Sequence, residues 1–408
     1  RVPEVLERLD GAPAVGVDIE TTGLDPYKAR VRTLQLAVPG LVYVIDAHRV
    51  DLRLLRPVLE SEAFKILCHG KFDLRFLLQA GLGVANPFDV MLADQVLRAA
   101  RDPRGLAALA QEYLGESLDK ALQRADWSGE LSSAMLEYAA RDAAVLLPLF
   151  AKITDRIKAE GLGRVVEIEN RALPAVAWIE LKGVPINRQA WLSLAEKAQD
   201  RRQRLEEELN APAGRPINRR SPQQVLDLLR RLGIQAPNTR ESTLKEVADR
   251  YPIARPIVRK LLEYREVAKA YSTYGADFLK HVHEATGRIH ADWCQIGAES
   301  GRMACRDPNL QNIPSDGGYR GCIVAPPGRV FVKADYSQIE LRIAAKIAPD
   351  ERMLEAYREG RDLHTLTATA LLGRKEITGA DRQLAKAINF GLIYGLAPQG
   401  LQRYARWQ

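Results

Sequence analysis

Ala14-Val15-Gly16-Val17-Asp18-Ile19, followed by Glu20, decides how the front of this 408-residue chain folds. The run reads as a buried strand that ends in acid. Val31–Val38 (VRTLQLAV) and Leu41–Asp46 (LVYVID) are two more strand candidates, and Leu67 to His69 reads as a short strand entering a helix at Lys71. Helical patterns then dominate to about residue 160. A strand-rich start followed by helices predicts a mixed sheet with helices on its faces, an α/β arrangement. Residues two apart on a strand face the same side, so Asp18 and Glu20 project together while Ile19 enters the core. Two adjacent acids repel each other unless a positive charge lies between them, and a divalent metal with oxygen ligands is the natural occupant. Taken alone, a D-x-E strand end reads better as a pair of surface acids.

Later residues change that balance. Asp73 follows a strand-to-helix turn in His69-Gly70-Lys71-Phe72-Asp73, and Tyr138 and Asp142 stand four apart on one helix face. D-x-E, then F-D, then Y-x-x-x-D is far more specific than any one of them. The charge is also unevenly placed. Residues 1–150 hold 17 Lys and Arg against 21 Asp and Glu, a balance of −4, and the remainder carries +11 of the overall +7. A basic body behind an acidic front suits a polyanionic partner, with carboxylates where metals could sit. The four cysteines, Cys68, Cys294, Cys305 and Cys322, form no C-x-x-C pair, which argues against a zinc site or a disulfide framework. The longest apolar run, Ala143 to Phe150, contains Pro148 and is too short to span a bilayer.

The acidic set resembles the DEDDy class of 3′→5′ exonucleases, the ribonuclease H-like fold used for proofreading by bacterial polymerase I-type enzymes; Phe88-Asp89 with Met91-Leu92 matches that family's connecting region. The resemblance implies that Asp18, Glu20, Asp73 and Asp142 bind two Mg²⁺ or Mn²⁺ ions, one activating a water and the other steadying the leaving 3′ oxygen. It implies that Tyr138 orients the water. His69 departs from the pattern, since polymerase proofreaders usually carry Asn there and other members of the superfamily carry His.

From about 165 to 285 the pattern is helical and heavily charged, with a Pro-, Gly- and Arg-rich loop at 210–222. Beyond Gly287, Arg329–Asp335 (RVFVKAD) reads as a strand that ends at Asp335, with helical periodicity behind it, and a last helix runs from about Asp381 to Tyr394. Three segments here resemble family A DNA polymerases. They are Ser300-Gly301-Arg302 with Asp307-Pro308-Asn309-Leu310-Gln311-Asn312-Ile313-Pro314, then Asp335-Tyr336-Ser337-Gln338-Ile339-Glu340-Leu341-Arg342, then Arg382 to Gly391 continuing to Tyr394-Gly395. The resemblance implies an α-rich thumb at about 165–285, the front of an α+β palm at about 286–350 and the start of the fingers at about 351–408, behind an exonuclease domain at 1–160.

By that resemblance Asp335 is a catalytic metal ligand helped by the Tyr336 carbonyl, with Ser337 and Gln338 beside it at the nucleotide. Glu340 blocks the sugar 2′ position. Arg382, Lys386 and Phe390 recur at i, i+4, i+8 on one helical stripe; the cations suit a triphosphate, Phe390 the sugar and Tyr394 the templating end. His364 matches a position that touches the phosphates. Asn309, Gln311 and Asn312 face the minor-groove edges of a primer–template, where acceptors are nearly sequence-independent. Arg302 and Arg320 match positions near the primer end and the incoming nucleotide. The implied partners are primer–template DNA, single-stranded 3′ ends and dNTPs, bound by a monomer in a bacterial or phage-infected cytoplasm.

The family's third polymerase motif, a strand bearing His-Asp-Glu, does not occur in these 408 residues, and the chain opens on Arg1 rather than Met. The sequence therefore reads as part of a longer polymerase that retains only exonuclease activity. A split polymerase completed by a second polypeptide, and an exonuclease whose second half only binds primer–template, are the alternatives.

Overall fold

Five strands form the first sheet: β1 (Ala14–Thr21), β2 (Val31–Val38), β3 (Leu41–Asp46), β4 (Phe64–Leu67) and β5 (Pro87–Asp89), in the order β3-β2-β1-β4-β5. β1 to β3 run antiparallel, and β4 and β5 lie parallel to β1. The computed structural model from which this is read describes residues 2–315, 317–395 and 397. β2 is buried along nearly its whole length, as a strand covered on both faces should be. Alternation along β1 sends Val15, Val17 and Ile19 into one core layer, whereas Ala14 joins the layer on the opposite side with Ile66, Leu149 and Ile153.

The helices of this region are α1 (Val2–Leu9), α2 (Arg56–Leu59), α3 (Gly70–Gln79), α4 (Val90–Arg98), α5 (Leu106–Leu114), α6 (Ser133–Ala144) and α7 (Leu146–Ala159). Ser132 caps α6 by accepting from the Met135 N–H, and Asp89 caps α4 by accepting from Met91 and Leu92.

α8 (Gly163–Lys182) packs along α3, α4 and β5 and reaches β8, defined below. Its Asn170, buried, accepts from the Asp89 N–H at 2.6 Å. Beyond it, α9 (Arg188–Asn210) and α12 (Arg255–Tyr274) pair as two long helices, with α10 (Pro222–Arg231) and α11 (Glu241–Arg250) closing a separate core around Leu205, Leu228 and Leu261. The loop expected at 210–222 lies between α9 and α10. At the foot of the pair, Trp191 is fully buried, stacks on Phe278 at 4.5 Å and donates to the Tyr274 carbonyl at 2.9 Å. Such stacking adds about 0.5–1.5 kcal/mol beyond the area it buries. Two short ladders follow, β6 (Val184–Pro185) with β7 (Arg288–Ile289) and β8 (Asp292–Cys294) with β9 (Ala304–Arg306).

All of this belongs to one compact unit, residues 1–327; residues 328–408 form a second. The second unit contains α13 (Ile339–Ile347), α14 (Glu351–Arg358), α15 (Leu363–Leu372) and α16 (Gly379–Ile393). Thr378 and Asp381 close a reciprocal capping box at the start of α16. The strand expected at 329–335 is not formed: these residues adopt no regular element, and Val330, Phe331 and Val332 are exposed. Apolar alternation becomes a strand only when a neighbour accepts its hydrogen bonds, and among the described residues this segment has no ladder partner.

Candidate active sites

Asp18 and Glu20 lie on the face of β1 against which α6 packs, and Gly16 makes that approach close. A Cβ at Gly16 would stand 2.8 Å from the Ala143 carbonyl oxygen and 3.2 Å from the Ala37 Cβ. Without one, the last turn of α6 descends onto β1 and carries Asp142 towards Asp18. The β1–β2 register also shifts between Glu20 and Thr21, a bulge that re-aims the strand end where the carboxylates leave it. Asp73 arrives from α3. That helix starts after His69, whose left-handed backbone (φ 63°) turns the chain sharply out of β4, and the Gly70 N–H is held by Asp89 Oδ2 at 2.8 Å. Tyr138 lies one turn before Asp142 on α6, where its hydroxyl favours the ionised form of the Asp142 carboxylate.

Burial makes all four acids hard to ionise, and neighbouring acids add to this for Asp18, Glu20 and Asp73. Burial, then the charge of Asp142, pushes Asp18 up to about 8 against a backbone hydrogen bond from Ile19. Burial, then Asp18 and Asp142, pushes Glu20 up to about 9. Asp73 is raised well above the usual carboxylate range by burial, Asp18, Asp89 and Glu20. Asp142 rises to about 6 through burial, opposed by the Tyr138 hydrogen bond and Arg141. Among the described residues no three His, Cys, Asp or Glu side chains converge closely enough to hold one ion. The residues nevertheless fit a divalent cation: the donors are all oxygens, and the buried Oδ2 of Asp73 has no hydrogen-bond partner.

Sequence reading missed several residues that build this site. Gly16 and the bulge could not be read from spacing. Asp89 was taken as connecting sequence, but it is buried and ties β5, α3 and α4 together. Leu24, just beyond β1, is 80% exposed.

The second set of residues is split between the two units. In the first unit Asn309 is exposed, and its side-chain oxygen accepts from the Gln311 and Asn312 N–H groups at 3.0 and 3.2 Å. Gln311 donates to the Met303 carbonyl at 3.1 Å, and Arg320 to that of Ile313 at 2.9 Å. Arg302 is exposed in the turn between β8 and β9.

In the second unit Asp335, Tyr336 and Ser337 are exposed in the irregular stretch before α13, so Asp335 does not end a strand as expected. Glu340 lies in the first turn of α13. Asp362 is the hub the sequence did not reveal. It caps α15 through Thr365, accepts from Gln338 at 2.6 Å, and takes both Nε and Nη2 of Arg382 at 2.9 and 3.0 Å. Those contacts outweigh burial and hold its carboxyl far below the usual range. Arg382 is thus neutralised by Asp362, while Lys386 is exposed one turn later. His364 is buried, with Nδ1 3.0 Å from Asn389 Nδ2 and its ring 5.8 Å from that of Phe390. Tyr394 is exposed at the end of α16.

Among the described residues no helix is long and apolar enough to cross a membrane. Comparison with known proteins gives a consistent answer. The 3′-5′ exonuclease family matches residues 2–158, and DNA polymerase family A matches residues 188–408. DNA polymerase I of Aquifex aeolicus is 36% identical over 99% of this chain and 72% of its own length. DNA polymerase I of Pseudomonas aeruginosa is 32% identical over 98% of this chain, which spans just under half (48%) of that protein. The POL domain of Pol1 from M. smegmatis, solved in complex with DNA primer-template and dNTP, shares the fold with a TM-score of 0.81 at 24% identity, covering 99% of this chain and 72% of that one. Domains of both kinds are metal-dependent. The chain belongs to DNA polymerase family A, the DNA-directed DNA polymerases, and carries a 3′-5′ exonuclease domain in front.

Proposed function

We propose that the site formed by β1, α3 and α6 removes nucleotides from DNA 3′ ends, and that the motifs from Ser300 to Tyr394 serve primer–template and dNTP binding for templated synthesis. The domains would be the exonuclease at 1–160 and a polymerase portion at 161–408, with a thumb at about 165–285, the front of the palm at about 286–350 and the start of the fingers at about 351–408. The observation that carries the exonuclease reading is the set of four carboxylates, all raised and three of them partly by one another's charge, with a tyrosine one turn from the fourth.

Asp18, Glu20, Asp73 and Asp142 would hold two divalent ions, Mg²⁺ or Mn²⁺. The ions supply Lewis-acid activation of the attacking water and charge neutralisation at the leaving 3′ oxygen. The chain's own residues do the positioning. Asp18 and Glu20 face one way because they are two apart on a strand. Asp73 offers an oxygen with no competing donor. Tyr138, steadied by Asp142, directs the attacking water towards the phosphate. Leu24 offers an exposed apolar surface to the terminal base.

In the polymerase portion Asp335 would be a metal ligand together with the Tyr336 carbonyl, and Glu340 a guard at the sugar. Lys386, with Arg382 once it leaves Asp362, would neutralise the triphosphate, with His364, Ser337, Gln338, Phe390 and Tyr394 around the nucleotide. Arg302, Asn309, Gln311, Asn312 and Arg320 would contact the DNA.

The test is a labelled single-stranded oligonucleotide with Mg²⁺, using the parent chain and the Asp18→Ala/Glu20→Ala double variant. The parent is expected to shorten the strand, and the variant to lose about three orders of magnitude or more of that rate, because metal activation supplies several kcal/mol. Duplex binding by fluorescence anisotropy should stay within about twofold, since no duplex contact is removed. Undiminished degradation by the double variant would take these residues out of the chemistry.

A further inference from the structure

The helix that presents Asp73 is tied on its other side to the segment assigned to the primer–template. On α3, Lys71 and Arg75 are four residues apart and share a face, while Asp73 lies roughly 200° round the axis from Lys71. Both cations converge on Glu180 of α8, which is 2% exposed: Lys71 Nζ donates to Oε1 at 2.6 Å and Arg75 to Oε2 at 2.9 Å. The backbone N–H of Trp293 gives Oε1 a further bond at 2.6 Å. Lys71 also donates to the Trp293 carbonyl at 2.7 Å and ion-pairs with Asp292, the first residue of β8. Asp292 in turn holds Arg306, the last residue of β9, at 2.5 Å. An unbroken chain of charges, Arg306–Asp292–Lys71–Glu180–Arg75, thus spans residues up to 235 positions apart.

The β8–β9 hairpin is the element whose turn carries Arg302 and whose exit leads into Asn309 to Asn312. Within the cluster, Asp292 is the side chain of the hairpin itself that reaches α3. We propose that Asp292 is a positioning residue: by pairing with Lys71 it makes the hairpin and the Asp73 helix one body, and so sets how a DNA 3′ end divides between being held paired and being degraded. This rests on the exonuclease and primer–template reading above. A hairpin held to α3 only through Trp293, by the Lys71 and Glu180 bonds, is less firmly fixed and holds duplex DNA less firmly, so a paired 3′ end frays more often, whereas a single-stranded end has no need of the hairpin.

The test compares 3′ degradation of a single strand with that of a fully paired primer–template, for the parent, Asp292→Asn and Asp292→Glu, with Mg²⁺ and no dNTPs. Asp292→Asn should raise the paired-to-single-stranded rate ratio about three- to tenfold while leaving the single-stranded rate within about twofold. Asp292→Glu keeps the charge and should return the ratio towards that of the parent. Arg306→Gln strips Asp292 of its second cation from an exposed position; it should raise the ratio less, and it reads the same question if Asp292→Asn loses its cooperative thermal transition. Arg75→Gln, which touches Glu180 but not Asp292, should leave the ratio unchanged. An unchanged ratio in both Asp292→Asn and Arg306→Gln, or equal slowing on both substrates, would overturn the proposal while leaving the exonuclease reading intact. A parent that degrades neither substrate would remove both.

Discussion

The two groups of candidate functional residues differ in how the fold holds them. The carboxylates of the first unit leave a strand and two helices packed about one sheet, and burial with neighbouring charges shifts Asp18, Glu20 and Asp73 strongly. Asp335 in the second unit stands exposed in a stretch without regular structure, behind three exposed apolar residues, Val330, Phe331 and Val332. The comparison teaches that matching motifs do not imply matching degrees of preorganisation. An acid constrained by a core has its charge and direction set before substrate arrives, which is the condition for electrostatic catalysis. An acid on an irregular exposed segment has no such constraint on its direction.

The sharpest way to break the contrast is at Tyr138. Tyr138→Phe removes the hydroxyl that meets Asp142 and should slow single-strand degradation by about a hundredfold with little change in KM, as for a misplaced reacting group. An unchanged turnover number would make the tyrosine a packing residue beside Trp127.

A smaller effect is expected at α16. In a form of the protein that extends primers, Lys386→Ala should raise the dNTP KM about tenfold, the worth of one charge-assisted contact. Exonuclease rates should not move. Equal loss in both assays would mean that Lys386 supports structure rather than the nucleotide.

The smallest effect is on stability, and its sign follows from the raised acids. Asp18 and Glu20 titrate near 4 when unfolded and at about 8 and 9 in the metal-free fold. The fold therefore binds protons more tightly than the unfolded chain between those limits. The stability these two groups contribute is fully present below about pH 4 and is lost as pH rises to about 9. Calorimetry in EDTA should show the midpoint of the first unit falling by a few degrees between pH 5 and pH 8.5. Mg²⁺ should restore it, and an Asp18→Asn/Glu20→Gln variant should flatten the profile. A midpoint that rises over this range in EDTA would show that the four acids do not share a site.

Much of the first site was legible because its signals are local. Period-two facing on β1 pairs Asp18 with Glu20, and four-residue spacing on α6 pairs Tyr138 with Asp142. What sequence reading could not supply is long-range. The close approach of Ala143 to Gly16 and the Lys71–Glu180–Asp292 cluster depend on residues more than a hundred positions apart meeting in space. The same blindness produced the misreading of 329–335, where alternation was visible but the absence of a ladder partner among the described residues was not. Arg382 was read as a cation awaiting phosphate; its pairing with Asp362, twenty residues earlier, shows only in the fold.

The most direct test of the account uses this 408-residue chain on a labelled primer–template with Mg²⁺, with and without dNTPs. The account predicts primer shortening that dNTPs do not reverse, because the carboxylates of the first unit are preorganised while Asp335 is exposed and no His-Asp-Glu motif occurs in the sequence. Net extension on adding dNTPs would contradict it, by showing that Asp335 already works within a complete polymerase centre.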